Sequence, residues 1–337
     1  MNTQGEIQIK LETLIHVLSD VLSVRIVHAD YKTTQLHGGT LGDVRLVMCE
    51  AEADNGKKIP YRFVLKKQKK WERYGDTDSW RREYDLYTSD FGKLFGHSLR
   101  WPKCYYADMA EDEFQIWIEY VDGTSGLDLS IDMYELAAKE LGRYQGRLYS
   151  EQPAVLQTLT NLSNVDFMKD DYLHYRSWNE VYDYIRSDDC GIPKHLCDML
   201  IDIDENSDEI FNKIAKLPIV LCHRDFWVTN IFIKDDNIYL IDWDTAGWGY
   251  MGEDIASLIA DKSEVDHMIE YYNRCTQAYY IGFSEYTDIS HISDNCIYEM
   301  ILIKFGYRLV ENYKFSESPD ERALSIDTLQ KIYEMKR

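Results

Sequence analysis

The hydrophobic pattern of this chain becomes mostly helical after the segment DGTSG at Asp122–Gly126. Before this segment, apolar and polar residues alternate in several short runs, as they do in half-buried β-strands. After it, apolar residues recur every three or four positions, which is typical of amphipathic helices. Strands followed by helices indicate an α+β chain. With 337 residues, the chain is long enough for two lobes. We therefore predict a small β-rich lobe over 1–122 and a larger, mainly helical lobe over 123–337.

Six elements are predicted in the first lobe from their hydrophobic periodicity. They are a helix over 6–22, strands over 32–39, 43–53 and 58–67, a helix over 79–95 and a strand over 114–121. Between the second and third strands lies ADNGK, in which Asn-Gly is a strong signal for a tight hairpin turn.

One segment of the second lobe breaks the helical pattern. NIFIKDDNIYLID, residues 230–242, reads as two short apolar strands around the turn signal KDDN. A lone hairpin is only marginally stable in water, so this one is expected to rest on the surrounding helices with its ends at a cleft.

Three polar residues stand at the ends of this predicted hairpin: Asp225, Asn230 and Asp242. A hairpin brings its strand ends together, so Asn230 and Asp242 are expected to be neighbours. A carboxylate and an amide oxygen suit Mg²⁺, which takes few protein ligands and completes its shell with phosphates and water. Asp225 is then placed to orient a hydroxyl or accept its proton. Each residue alone is typical of a turn, and the joint spacing is far more specific.

The surrounding motifs resemble a known superfamily. HRDFWVTN, residues 223–230, resembles the catalytic loop of the protein-kinase-like fold. IDWD, residues 241–244, stands where protein kinases have DFG and is similar to a motif of the aminoglycoside phosphotransferase and choline kinase families. GWGYMGEDIASL, residues 247–258, resembles the next segment of those families. The resemblance covers about residues 33–260 and implies a bilobal protein-kinase-like fold.

The resemblance also implies a nucleotide site in the first lobe. HGGTLGDV would supply the glycine-rich turn, with Gly38 and Gly39 near the phosphates. Lys66 in YRFVLKK would contact the phosphates, and Glu83 in RREYDLY would pair with it. Taken alone, Lys66 and Glu83 would be ordinary surface charges.

The hinge of such a fold would correspond to IEYVDG, residues 118–123. By resemblance, the carbonyl of Glu119 and the N–H of Val121 would hold the adenine edge of ATP. GTP remains open as the alternative nucleotide.

Four residues beside the proposed site receive structural interpretations. His223 is expected to brace the loop. Arg224 is expected to pair with a carboxylate, and it receives no catalytic role because the family often has glycine at this position. Asp254, before IASL, is interpreted as a helix N-cap. Asp244 has two open interpretations, a brace at the hairpin end or a second metal or acceptor contact.

The resemblance implies transfer of the γ-phosphate of ATP, with Mg²⁺, to a hydroxyl group. The acceptor of the phosphate is predicted to be a small molecule. Eleven residues separate Asp242 from Asp254, and no APE motif follows, whereas protein kinases carry a long activation segment there. Helices around 170–215 and 254–337 would form the acceptor pocket.

The charge distribution favours a cationic acceptor. The net charge is −22, of which −19 lies in residues 123–337, although an acidic surface also serves solubility. Aminoglycoside-like amines are the leading class of acceptor. The alternatives are the acceptors of choline, ethanolamine or fructosamine kinases. A nucleotide-binding pseudokinase module is the alternative from outside the enzymes. Nucleic acid is disfavoured as a partner because its phosphates would be repelled.

The remaining features indicate a cytoplasmic protein without a membrane partner. The seven cysteines are scattered and form no CxxC pair, so neither a disulfide framework nor a zinc site is expected. No apolar run approaches the roughly 18 residues of a membrane span, and no signal peptide is recognised.

Overall fold

The structure, a computed structural model, describes residues 9–36, 42–176, 179–261, 264–292 and 296–336. The chain divides into two compact units. The first runs to Gly92 and resumes over Trp101–Asp122, and the second comprises Lys93–Arg100 and Gly123 onwards.

The strands in chain order are β1 (Ile26–Gln35), β2 (Gly42–Ala53), β3 (Lys58–Lys69), β4 (Leu99–Arg100), β5 (Cys104–Met109), β6 (Glu113–Glu119), β7 (Ile219–Cys222), β8 (Ile231–Lys234), β9 (Asn237–Leu240) and β10 (Gly247–Tyr250). The helices are α1 (Leu11–Leu22), α2 (Ser79–Tyr87), α3 (Ile131–Glu151), α4 (Phe167–Arg176), α5 (Asn179–Tyr182), α6 (Lys194–Glu205), α7 (Ser207–Ile214), α8 (Glu253–Ala260), α9 (Met268–Ser284), α10 (Cys296–Phe315) and α11 (Pro319–Met335). The first unit is therefore rich in strands and the second mainly helical, as the sequence predicts.

The first unit is built on a five-stranded antiparallel sheet with the order β1-β2-β3-β6-β5. One hydrophobic cluster joins Leu14 and Leu18 of α1 to Val47 of β2 and Phe63 of β3. The predicted hairpin turn between β2 and β3 is confirmed, with Gly56 at a φ of 79°, in the left-handed region that glycine tolerates. The sheet holds β3 in its centre, which positions Lys66 on a rigid element.

Several boundaries in this unit differ from the predicted ones. The predicted strand over 32–39 begins earlier, at Ile26, and the first helix begins at Leu11. The helix predicted over 79–95 ends at Tyr87, where the hydroxyls of Thr88 and Ser89 donate to nearby helix carbonyls. Such bonds offer the backbone an alternative to a further helical turn.

Two strands that precede β6 have no counterpart in the prediction. The β5 segment CYYADM is half-buried at five of its six positions, so it lacks the alternation by which a strand is recognised. The two-residue strand β4 is too short for any periodicity.

The second unit contains a close pair of long helices, α3 and α9. A Cβ atom built on Gly142 of α3 would lie 2.2 Å from the carbonyl oxygen of Tyr279 in α9. One on Gly282 of α9 would lie 2.1 Å from the carbonyl oxygen of Lys139 in α3. The two backbones are therefore in contact, and only glycine fits at either position. None of the helices in the described part of the chain is long and apolar enough to cross a bilayer.

The hairpin predicted inside the helical region is confirmed by the pairing of β8 with β9. Its turn residues Asp235 and Asp236 have φ values of 49° and 59°, as a two-residue turn of the favoured twist requires. The hairpin does not stand alone, because β9 also pairs in parallel with β4. Its inward side chains, including Ile238 and Leu240, are fully buried.

Candidate active site

In the first unit, Lys66 and Glu83 form a buried ion pair. Lys66 Nζ on β3 lies 2.5 Å from Glu83 Oε2 on α2, and the side chains are 11% and 2% exposed. An ion pair taken out of water requires good geometry to offset its desolvation. The structure places Lys66 and Glu83 together. They are not the independent surface charges that the sequence of either one alone would suggest.

Of the other residues predicted from the sequence to bind the nucleotide, the structure describes Glu119 and Val121. Gly38 and Gly39 fall outside the described residues. Glu119 ends β6, where its N–H donates to the carbonyl of Lys103, and Val121 follows two residues later. Both Glu119 and Val121 are half-buried.

In the second unit, Asp254 holds the segment that we call the catalytic loop, His223–Asn230. Its two carboxylate oxygens accept the backbone N–H groups of His223, at 2.9 Å, and Arg224, at 2.7 Å. The interpretation of Asp254 as an N-cap is wrong. The helix α8 begins at Glu253, and its N-cap position is taken by Gly252 with a φ of 99°. Asp254 thus lies inside the helix and ties it to the loop.

A network of buried hydrogen bonds from α3 and α9 holds Asp254 in place. Gln145 of α3 donates from Nε2 to Asp254 Oδ2 at 2.9 Å and to the carbonyl of Leu221 at 3.0 Å. The hydroxyl of Tyr279 on α9 donates to Gln145 Oε1 at 2.6 Å. The sequence analysis missed Gln145 and Tyr279. The available signal was the carboxylate of Asp254 beside the apolar run IASLIA, because a charge in a buried segment needs partners.

Arg224 is buried and makes an ion pair with Glu253, as expected from its pairing role. Nε lies 3.3 Å from Glu253 Oε1, and both side chains are 2% exposed. The guanidinium also donates to Ser163 Oγ and to the carbonyls of Asn164 and Trp248. These contacts tie Arg224 to segments outside the catalytic loop, so Arg224 stabilises the loop.

His223 braces the loop from its ring. Nε2 is 2.9 Å from the carbonyl oxygen of Ile241, and the ring centroid lies 4.4 Å from that of Trp243. Burial lowers the pKa of His223 below its ordinary value, although the carboxylate of Asp254 acts in the other direction. A neutral imidazole therefore links the catalytic loop to the strand end that carries Asp242.

Asp225 and Asn230 are in direct contact. Asn230 Nδ2 donates to Asp225 Oδ2 at 2.7 Å and to the carbonyl oxygen of Asp225 at 3.0 Å. Asn230 is buried and Asp225 is half-buried at the surface of the unit. With Nδ2 engaged in both bonds, the amide oxygen of Asn230 is the atom that can serve as a ligand.

Asp242 lies beside this pair, since the N–H of Ile241 donates to the carbonyl of Asn230 at 3.1 Å. Its φ of 64° is a left-handed conformation that a non-glycine residue rarely adopts. Burial raises the pKa of Asp225, the charges of Asp242 and Asp261 raise it further, and the Asn230 hydrogen bond opposes them. The structure thus brings Asp225, Asn230 and Asp242 together.

The donor set fits Mg²⁺ better than a softer metal. Asn230 and Asp242 offer one amide and one carboxylate oxygen, and the described residues contain no cluster of three or more His, Cys, Asp or Glu suited to a metal. Few protein ligands are typical of Mg²⁺ bound together with phosphates. Asp244 lies two residues further on, half-buried in the turn before β10.

A cavity of about 450 Å³ opens in the second unit between α10, α11 and the end of α8. Its lining includes Asp261, Phe305, Arg308, Asn312, Glu321 and Thr328. The charge of Asp261, on the cavity lining, acts on the catalytic loop, because it contributes to the raised pKa of Asp225. The guanidinium of Arg308 lies 3.7 Å from Asp261 Oδ2.

Comparison with protein families identifies the class of protein. The model of the phosphotransferase enzyme family, abbreviated APH, matches residues 105–286, more than half of the chain. The protein belongs to this family and is a phosphotransferase. No match was found among curated proteins.

Solved structures share the fold at low sequence identity. A choline kinase from Cryptosporidium parvum Iowa II is 16% identical, with a TM-score of 0.56 over 91% of this chain and 90% of that one. A microcompartment-associated aminopropanol kinase is 13% identical, with a TM-score of 0.54 over 95% and 94%. An amicoumacin kinase solved in complex with AMP-PNP, Ca²⁺ and Ami is 16% identical, with a TM-score of 0.52 over 90% and 88%. These likenesses establish the protein-kinase-like fold that the sequence predicts.

Proposed function

We propose that this enzyme transfers the γ-phosphate of ATP to a hydroxyl group of a small cationic molecule. The observation that carries the proposal is the contact between Asp225 and Asn230 beside Asp242, at the two ends of one rigid hairpin. Phosphoryl transfer needs little covalent chemistry from the protein, so positioning and charge neutralisation dominate its catalysis. A strained but fully supported loop is suited to that task.

Asp225 is the proposed catalytic residue. The Nδ2 group of Asn230 holds one of its carboxylate oxygens and leaves the other for the acceptor. That oxygen would accept the hydroxyl proton as the acceptor oxygen attacks the γ-phosphorus. Because its pKa is raised, Asp225 accepts a proton more readily than an ordinary aspartate does.

Asn230 and Asp242 are the proposed ligands of Mg²⁺. When bound, the ion would neutralise phosphate charge during transfer. Asp242 follows β9 with a left-handed backbone, and the hydrogen bond of His223 to the carbonyl of Ile241 holds the residue before it.

Lys66 is the proposed phosphate contact in the nucleotide site. Glu83 pairs with its ammonium group in a buried position and restrains the side chain. The proposal further assigns Gly38 and Gly39 to the phosphates, and the Glu119 carbonyl and the Val121 N–H to the adenine edge. AMP-PNP in the amicoumacin kinase structure supports ATP as the donor, and GTP would serve as the comparison nucleotide.

The acceptor class rests on charge and on the cavity beside Asp261. Residues 123–337 carry a balance of −19, and Asp261 lies both on the cavity and near Asp225. A cationic group attracted to this acidic region would bring a neighbouring hydroxyl towards Asp225. Amino alcohols such as choline and aminopropanol, for which two of the structural neighbours are named, have this arrangement, and so do aminoglycosides.

The test is a turnover screen of amino alcohols, fructosamines and aminoglycosides with ATP·Mg or GTP·Mg. We expect phosphorylation of at least one amine acceptor. Replacing Asp225→Asn should lower kcat by about 10²- to 10⁴-fold, because the proton acceptor is lost. Nucleotide affinity, measured by calorimetry, should stay unchanged.

The control is Asp235→Asn, which removes a carboxylate from the exposed turn of the same hairpin and should leave kcat intact. Asp242→Ala should weaken Mg-dependent ATP binding. Full turnover in Asp225→Asn would refute the assigned base. A wild-type protein that binds ATP but phosphorylates no acceptor would instead be the nucleotide-binding module.

A further inference from the structure

Two thiols lie in contact at the start of α6. Cys190 Sγ and Cys197 Sγ are 3.6 Å apart. Cys190 is in the loop between Arg186 and α6, and Cys197 is in the first turn of the helix. A disulfide requires sulfur atoms about 2 Å apart, so the approach still needed is small.

The two thiols differ in exposure. Cys190 is half-buried and stands between the exposed residues Asp189 and Gly191, within reach of small molecules. Cys197 is 5% exposed, and its Sγ donates to the carbonyl of Ile192 at 3.7 Å. Burial raises the pKa of Cys197 to about 12, so Cys197 is a poor first nucleophile.

The backbone around the two thiols differs in regular structure. Cys197 is fixed by the helix, while residues 187–193 form no helix or strand. The loop can therefore close the remaining gap between the sulfur atoms without displacing α6.

We propose that Cys190 and Cys197 form a reversible modification site that is oxidised to an intramolecular disulfide by small-molecule disulfides. Neither thiol belongs to the catalytic loop or to the cavity, so the inference is independent of the proposed function. It also differs from a structural disulfide framework, because both cysteines are thiols in the structure.

The chemistry is thiol–disulfide exchange in two steps. The thiolate of Cys190 attacks one sulfur of the small disulfide, forms a mixed disulfide and releases one thiolate. Cys197 then attacks Cys190 Sγ, forms the protein disulfide and passes its proton to the second departing thiolate. The protein loses two electrons and two protons, and the small disulfide becomes two thiols.

The experiment treats the full-length, folded protein with oxidised glutathione and then alkylates the remaining thiols. Lys194 lies between the two cysteines, so trypsin separates them onto different peptides unless they are linked. We expect a linked peptide pair that contains Cys190 and Cys197 and that separates on reduction. Alkylation of both thiols without a linked pair would overturn the proposal.

Two variants separate the roles. Cys197→Ser should accumulate a glutathione adduct on Cys190, since the second step is lost, and Cys190→Ser should carry no adduct at Cys197. Cys104→Ser, at another half-buried cysteine, should leave the linked pair intact. A linked pair between Cys190 and any other cysteine would contradict the assignment. The wild-type peptide map decides the question even where a variant does not fold.

Discussion

At the scale of single residues, Arg224 and Asp242 share a strained backbone. Their φ values of 68° and 64° lie in the left-handed region, which costs a non-glycine residue about 1–2 kcal/mol. The hydrogen bond from the Arg224 N–H to Asp254 and the guanidinium contacts around Glu253 offset this cost at the loop. Folding therefore fixes the site's geometry before any substrate binds.

His223 gives the molecule a predictable acid sensitivity. Its pKa is lowered by burial, so the folded protein resists a proton that the unfolded chain accepts. Above the ordinary value of 6.5, both states are neutral at this residue and its contribution is constant. Below that pH, the free energy of unfolding should fall by up to about 1.4 kcal/mol per pH unit from this residue alone.

Urea unfolding at several pH values between 5 and 8 (roughly the range in which histidine titrates) would measure the effect. His223→Asn should flatten the acid limb of the stability curve, although it lowers stability overall. His16→Asn, at an exposed histidine, should leave the slope unchanged. An identical slope in wild type and His223→Asn would contradict the prediction.

At the scale of elements, the pairing of α3 with α9 carries the catalytic loop's support. Gln145 on α3 and Tyr279 on α9 both belong to the network beneath Asp254. Gly142 and Gly282 permit the helices to approach so closely that these side chains meet. A change in helix spacing should therefore reach the active site through Asp254.

Gly282→Ala tests this dependence. The added Cβ would lie 2.1 Å from a backbone carbonyl, so the helices must separate, and we expect a loss of stability of about 1–3 kcal/mol. Thermal and denaturant unfolding would measure the loss, and kcat should fall with it. Gly96→Ala, where no atom lies within 4 Å of the new Cβ, should change neither quantity. Wild-type stability in Gly282→Ala would disprove the close packing.

At the scale of the whole molecule, the charge is concentrated in the region that carries the cavity. The net charge is −22, and residues 123–337 carry −19 of it. Such a field attracts cations and is screened as salt rises, because the Debye length is about 10 Å at 0.1 M. Part of the affinity for a cationic acceptor should therefore be electrostatic and long-range.

Steady-state kinetics at increasing NaCl would test this. The KM of a cationic acceptor should rise several-fold between about 0.05 and 0.5 M salt, since screening weakens its attraction to the acidic region. The KM of an uncharged hydroxyl acceptor serves as the reference and should stay nearly constant. A salt-independent KM for the amine would argue against electrostatic recognition of the acceptor.

Much of the architecture follows from short-range signals. The period-2 runs and the Asn-Gly turn predict β2 and β3, and KDDN predicts the β8–β9 hairpin, because strand alternation and turn chemistry act over a few residues. The proximity of Asn230 and Asp242 follows from that hairpin, because its two strand ends meet, and Asp225 lies in the loop that enters it. The end of α2 and the strand β5 escaped prediction because hydroxyl capping and uniform half-burial leave no periodic trace.

The sequence by itself determined the strand-rich and helical parts and the embedded hairpin, and it predicted the neighbouring positions of Asp225, Asn230 and Asp242. Only the tertiary structure decided that Asp254 anchors the catalytic loop, and that Gln145 meets it from 109 residues away. The same holds for the burial of Arg224 against Glu253. Local patterns record the preferences of neighbouring residues, whereas these partners are chosen by the packing of whole helices, which no short stretch encodes.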